Sequence, residues 1–151
     1  MIRYARAGPS DVPSLARMRP PDDPPDARMQ AYLMGEHHPR QALGPRAMWL
    51  ALEGESPVAY AAGHLTRRYD CEGEVQYLYV LPEYRRRGVA AGLLRQLAGW
   101  FVEHEARRVC VDVGSEGGRR FYESQGAKEL NRHWMVWEDV GEITPASGGA
   151  P

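Results

Sequence analysis

Hydrophobic residues recur most regularly between Gly88 and about Glu105, where Val89, Leu93, Leu94, Leu97, Trp100 and Phe101 return at three- and four-residue spacing. That spacing gathers them into one stripe and predicts an amphipathic helix. Upstream, AMWLALE from Ala47, a turn at Gly54 to Ser56 and PVAYAAGHLT predict a hairpin. Glu74 to Leu81 adds a third antiparallel strand, which Pro82 stops. Downstream, Arg107 to Val113 reads as a buried strand, RRFYESQ as a short helix closed by Gly126, and about Arg132 to Glu138 as a last strand. The first third is more broken, since eight of the 12 prolines precede residue 46. It holds a strand at Ile2 to Ala5 and a helix capped by Ser10 or Asp11, with Val12, Leu15 and Met18 on one side. The irregular stretch Pro20 to Pro25 follows, then a helix over Asp26 to Glu36 with Met29, Tyr32 and Leu33 on one face, and HHPRQALGPR as loop.

This order of elements predicts an α/β fold with a mixed sheet and a strand-helix-strand crossover from residue 74 to 113. A chain of 151 residues fits one domain, read here as residues 1–138, with the small and polar stretch 139–151 as a disordered tail. A 43% hydrophobic share fills its core and excludes disorder of the whole chain. The net charge of −1 supplies no long-range attraction to nucleic acid or to an anionic membrane. The longest apolar run, Ala47 to Leu52, is far short of the ~20 residues that span a bilayer, and MIRYARAG holds no signal core, so a cytoplasmic protein is expected. Its two cysteines cannot build a disulfide framework; Cys110 reads as core and Cys71 as a free thiol in a loop. His37 and His38 lack a third ligand at metal spacing, and no metal is expected.

The stretch VLPEYRRRGVAAGLL carries the chemistry, because a strand ends at Pro82 and a glycine-containing turn leads straight into the amphipathic helix. The first N–H groups of a helix have no internal partner and sit at the positive end of its dipole, so such a turn can cradle phosphate. Gly88 allows close approach, Val89, Ala90 and Ala91 keep the first turn uncharged, and Arg85, Arg86 and Arg87 add positive charge. Neither G-x-x-x-x-G-K-[ST] nor G-x-G-x-x-G fits this segment.

Here the sequence resembles the GNAT superfamily of N-acetyltransferases, whose signature [QR]-x-x-G-x-[GA] is matched by Arg85-Arg86-Arg87-Gly88-Val89-Ala90 after the corner Val80-Leu81-Pro82. The strand order, the long helix and a late F-Y helix ending in glycine (Phe121, Tyr122, Gly126) extend the similarity over about residues 1 to 138. The resemblance implies a single-domain fold with a mixed, mostly antiparallel sheet, splayed in the middle and flanked by helices. It also implies acetyl-CoA as co-substrate. The diphosphate would lie on the N–H groups of residues 86 to 91, and the pantetheine arm on the strand backbone at Leu78, Tyr79 and Val80. Where the family commonly has N-x-x-A, this chain has Ser115 and Gly118, so Ser115 would supply that contact.

Acyl transfer to an amine needs a free lone pair, a polarised carbonyl and a departing thiolate. A lysine-like amine of pKa ~10.4 is neutral in only about one part in two thousand at pH 7, so a base or desolvation is worth up to roughly 4.6 kcal/mol. By its place at the head of the central strand, matching part of the family, Glu74 is the candidate base, raised by burial or relayed by water; Glu72 and Asp70 are substitutes. Tyr122, the family's F-Y tyrosine, is the candidate acid toward the thiolate, and an N–H near Val80 or Leu81 would polarise the carbonyl. The expected acceptor is a small-molecule or peptide amine. Asp22, Asp23, Asp26 and Glu36 hint that it is cationic. A homodimer is open. The rival readings are a non-catalytic acyl-CoA-binding sensor of the same fold and a nucleic-acid module built on the arginines, which the charge balance disfavours.

Overall fold

The computed structural model describes residues 1–15 and 26–143. Met18, Asp22, Asp23 and the Pro20 to Pro25 stretch lie outside them, as do residues 144–151. In chain order the elements are β1 (Ile2–Ala7), α1 (Val12–Leu15), α2 (Asp26–Leu33), β2 (Ala42–Glu53), β3 (Ser56–Thr66), β4 (Gly73–Val80), α3 (Val89–Glu103), β5 (Val109–Asp112), α4 (Glu116–Ser124), β6 (Lys128–Glu129) and β7 (Trp134–Trp137). One sheet joins the strands in the order β1-β2-β3-β4-β5-β7-β6. Only the β4–β5 pair is parallel, as the crossover through α3 requires.

Alternation along the strands divides the interior in two. Val58, Ala59, Ala61, Val75 and Val80 pack with the inward stripe of α3, Leu93, Leu94, Leu97 and Phe101 among it. On the other face Met48, Leu50, Tyr60 and Ala62 meet Val12, Leu15, Met29 and Tyr32 from α1 and α2. α3 lies very close to the sheet because two strands offer it glycine. A Cβ on Gly73 would come within 2.5 Å of the Phe101 ring, and one on Gly63 within 2.9 Å of the ring and of the Glu74 carbonyl. Phe101 is fully buried within the α3 core. Gly73→Ala is therefore expected to destabilise the fold by about 1–3 kcal/mol, read as a lowered Tm in a thermal melt.

Several boundaries differ from the pattern reading; β1 runs on to Ala7 and α2 stops at Leu33 rather than Glu36. β2 starts at Ala42 rather than Ala47, because Arg46 donates to the carbonyls of Tyr32, His37, Leu43 and Gly44 and holds the Gly-Pro stretch as an irregular strand. β6 is a two-residue edge strand that no hydrophobic alternation announces. Residues 139–143 are folded rather than part of a loose tail: Val140–Glu142 makes a turn of 3-10 helix, and Val140 and Ile143 are buried in the α3 core. Among the described residues no helix is long and apolar enough to cross a membrane.

Candidate active site

α3 begins on a glycine whose backbone is left-handed, Gly88 at φ 80, and no side chain caps it. Its first turn holds no acidic residue, so the free N–H groups and the positive end of the helix dipole face outward unneutralised. A cleft of about 930 Å³ opens against Gly88, Val89, Ala90 and Ala91, with Leu78, Tyr79 and Val80 along one wall and Val113, Ser115, Gly118 and Tyr122 along the other. Arg85 and Arg86 line it; Arg87 does not, and its guanidinium sits over the Tyr84 ring at 5.0 Å. Arg120, on α4, is a further cation at this cleft.

The cleft exists because two strands part. β4 and β5 pair only at Gly73/Val109, Glu74/Cys110 and Val75/Val111, and beyond Val75 the β5 side of β4 is open. Against β3, Ala62 is opposite Tyr77 and Gly63 opposite Val75, so Gln76 is the extra residue of a bulge. The Leu81 N–H bonds the Val58 carbonyl at 3.0 Å, which commits it to β3. By alternation the backbone groups of Val80 and Leu78 face the open side. Arg85 Nε donates to the Val80 carbonyl at 2.8 Å, leaving the Val80 N–H for a ligand.

A second cleft, about 500 Å³, lies on the far side of the parting and is lined by Pro39, Arg68, Glu74, Gln76, Tyr77, Asp112 and Trp134. Leu78, Val113 and Tyr122 line both clefts, so the two meet there. Glu74 is 4% exposed and lies in the second cleft, held by Arg68 Nε at 3.0 Å from Oε1. Arg68 is itself fixed over the Trp134 ring at 4.7 Å and donates to the Arg40 carbonyl. His64, fully buried and in register with Glu74, places Nε2 3.5 Å from Oε1 with no hydrogen-bond partner. Its Nδ1 lies 2.9 Å from the Tyr32 hydroxyl. Burial pushes the Tyr32 phenol well up, so that hydroxyl stays protonated beside the imidazole.

The substitutes for Glu74 lie elsewhere. Glu72 accepts the Arg107 and Arg108 N–H groups at the surface, and Asp70 is exposed in a turn; neither lines these clefts. Ser115 caps α4 by accepting the Gly118 N–H at 3.0 Å, so its oxygen is used and its hydroxyl proton remains to donate. Gly118 has no room for a Cβ, which would lie 2.3 Å from the Val113 carbonyl. Tyr122 is 7% exposed and set edge-on to Phe121 and Trp137, and no described residue hydrogen-bonds its hydroxyl. Burial first, and the Asp112 charge second, push its pKa up. Among the described residues no cluster of His, Cys, Asp or Glu could hold a metal ion.

Pattern reading missed Arg68, His64 and Tyr32. Strand pairing would have located His64 once the β3–β4 register and its bulge were known; Arg68 and Tyr32 depend on a turn and a helix that carry no such signal.

A model of the acetyltransferase (GNAT) family matches residues 13–127. Solved structures share the fold at low identity. The ribosomal-protein-S18-alanine N-acetyltransferase of Escherichia coli is 15% identical, with 91% of this chain and 93% of that one covered at a TM-score of 0.69. An aminoglycoside 6'-N-acetyltransferase of Acinetobacter baumannii is 19% identical, with 87% and 94% covered at 0.69. An acetyltransferase of Clostridium acetobutylicum, solved with acetyl-CoA, is 22% identical, with 87% and 93% covered at 0.64. A search of the curated proteins finds no match.

Proposed function

The chain belongs to the acetyltransferase (GNAT) family and is an acetyl-CoA-dependent N-acetyltransferase; we propose that it transfers the acetyl group to a primary amine of a small molecule or peptide by direct attack in a ternary complex. The observation that carries this reading is the meeting of two unlike clefts at Tyr122, one floored by bare helix amides and the other holding a buried carboxylate. The residues fit the co-substrate: the amides of residues 86 to 91 would hold its diphosphate, with Arg85 and Arg86 adding charge, and Leu78, Tyr79 and Val80 would pair with the pantetheine arm. Bound there, acetyl-CoA supplies a thioester at the junction. The Val80 N–H, left free by Arg85 and by the parting of the strands, polarises the carbonyl oxygen.

The acceptor enters the second cleft, where Glu74 and Asp112 favour an ammonium group and Glu74 takes up the proton it must lose. Glu74 lies four positions before Leu78, roughly 10–13 Å of strand, so the proton travels through water rather than by direct contact. Burial keeps the Tyr122 phenol protonated at any working pH, and it serves the departing sulfur as a hydrogen-bond donor. Tyr122→Phe is accordingly expected to lower kcat by about 2–10-fold, the worth of one neutral hydrogen bond, in a steady-state assay. The deciding experiment is a screen of an amine panel with release of the CoA thiol as the readout; release that depends on an amine supports the reading, and release by no amine contradicts it.

A further inference from the structure

Outside both clefts the fold brings its two cysteines together. Cys71 follows the turn Arg68–Asp70 and Cys110 lies within β5; they are 4% and 0% exposed, and with Val136 they form a small cluster separate from the two main cores. The two side chains pack in that cluster, the Cys71 thiol donates to the Tyr69 carbonyl at 3.8 Å, and Arg108 Nη1 stands 3.5 Å from Cys71 Sγ. Both are free thiols. The turn that delivers Cys71 is strained, since Tyr69 (φ 53) and Asp70 (φ 60) are consecutive non-glycine residues in the left-handed region. The same turn carries Arg68, the partner of Glu74, and Cys110 is the register partner of Glu74 on β5. The thiol pair therefore adjoins the ion pair that holds the carboxylate.

We propose that Cys71 and Cys110 form an oxidation site: hydrogen peroxide converts them to an intramolecular disulfide that ties the Arg68–Asp70 turn to β5 and slows acetyl transfer without altering acetyl-CoA binding. The Cys71 sulfur attacks one peroxide oxygen, the O–O bond breaks, water leaves, and the sulfur becomes a sulfenic acid. The Cys110 sulfur then attacks it; the S–S bond forms, the S–O bond breaks and a second water leaves, so two electrons pass from the two sulfurs to one peroxide. The order follows from the surroundings. The Arg108 guanidinium 3.5 Å from Cys71 Sγ favours a thiolate there, and Cys71 is the more exposed of the two, whereas Cys110 is fully buried within β5. Cys71 is thus the attacking sulfur and Cys110 the resolving one. The effect on rate rests on the acetyl-transfer reading of Glu74; the thiol chemistry does not.

Reduced protein treated with hydrogen peroxide, then denatured, alkylated and weighed, is expected to lose both alkylatable thiols together. The product should be a monomer lighter by two hydrogens, reversed by dithiothreitol. Cys110→Ala should stop at the sulfenic acid and be labelled by dimedone at Cys71. The disulfide form should titrate acetyl-CoA with the same midpoint and turn over several-fold more slowly, with the rate restored by dithiothreitol. Two thiols still alkylatable after peroxide, or disulfide dimers in place of monomers, would overturn the site; an unchanged rate in fully oxidised protein would overturn its control of the reaction. Should reduced protein acetylate no amine, the reading of the clefts fails, while the thiol count decides the oxidation site by itself.

Discussion

Glu74→Gln lowers kcat for acetyl transfer by about 10²–10⁴-fold, the range general-base catalysis contributes, and leaves acetyl-CoA affinity where it was. Glutamine keeps the length of the side chain, and its carbonyl oxygen can still accept from Arg68 Nε, as the carboxylate does at 3.0 Å. What it loses is the capacity to take a proton. Arg68 stays anchored by the Trp134 ring and the Arg40 carbonyl, so the turn keeps its place and the variant folds. Glu74 lines the second cleft and not the first, which separates the two readouts: steady-state rates move and the acetyl-CoA titration does not. A fall of less than about threefold would remove Glu74 from the reaction, leaving Asp112 as the carboxylate in that cleft.

Ala90→Glu is expected to weaken acetyl-CoA binding by about 10²–10⁴-fold while the fold keeps or gains stability. Ala90 is half-buried in the first turn of α3 and lines the larger cleft. A carboxylate there is favoured by the helix dipole by about 0.3–1 kcal/mol and can accept from the free amides, so the helix is not weakened. The same carboxylate occupies the amides that would hold the diphosphate and repels its charge. Loss of two charge-assisted hydrogen bonds at about 1.5–3 kcal/mol each sets the size of the effect, at 1.4 kcal/mol per tenfold in Kd. Calorimetric titration beside a thermal melt reads both quantities. A weaker Kd together with an unchanged or higher Tm separates this effect from damage to the fold.

What the sequence made legible was local. The apolar stripe from Val89 to Phe101 was readable because helical spacing is a property of one segment, and Gly88 because a helix must begin somewhere and a phosphate cradle needs small residues there. The Leu78 to Val80 wall of the larger cleft came from the family resemblance rather than from the pattern. The less legible features join distant segments. That Arg68 holds Glu74 depends on a left-handed turn at Tyr69 and Asp70, residues in which such a backbone is uncommon. That the free thiol of Cys71 is buried beside Cys110 depends on the β4–β5 register, which periodicity does not encode. Val140 and Ile143 are isolated apolar residues in a small, polar stretch, and only the exposed end of α3 gives them something to cover. The Leu81 N–H, one of two candidates to polarise the carbonyl, was excluded by a single hydrogen bond to β3.

The central claim is that the uncapped first turn of α3 receives the diphosphate of acetyl-CoA. A crystal structure of the complex tests it most directly. Diphosphate oxygens are expected about 2.7–3.2 Å from backbone nitrogens among residues 86 to 91; a diphosphate bound elsewhere, with those amides facing only water, would contradict this.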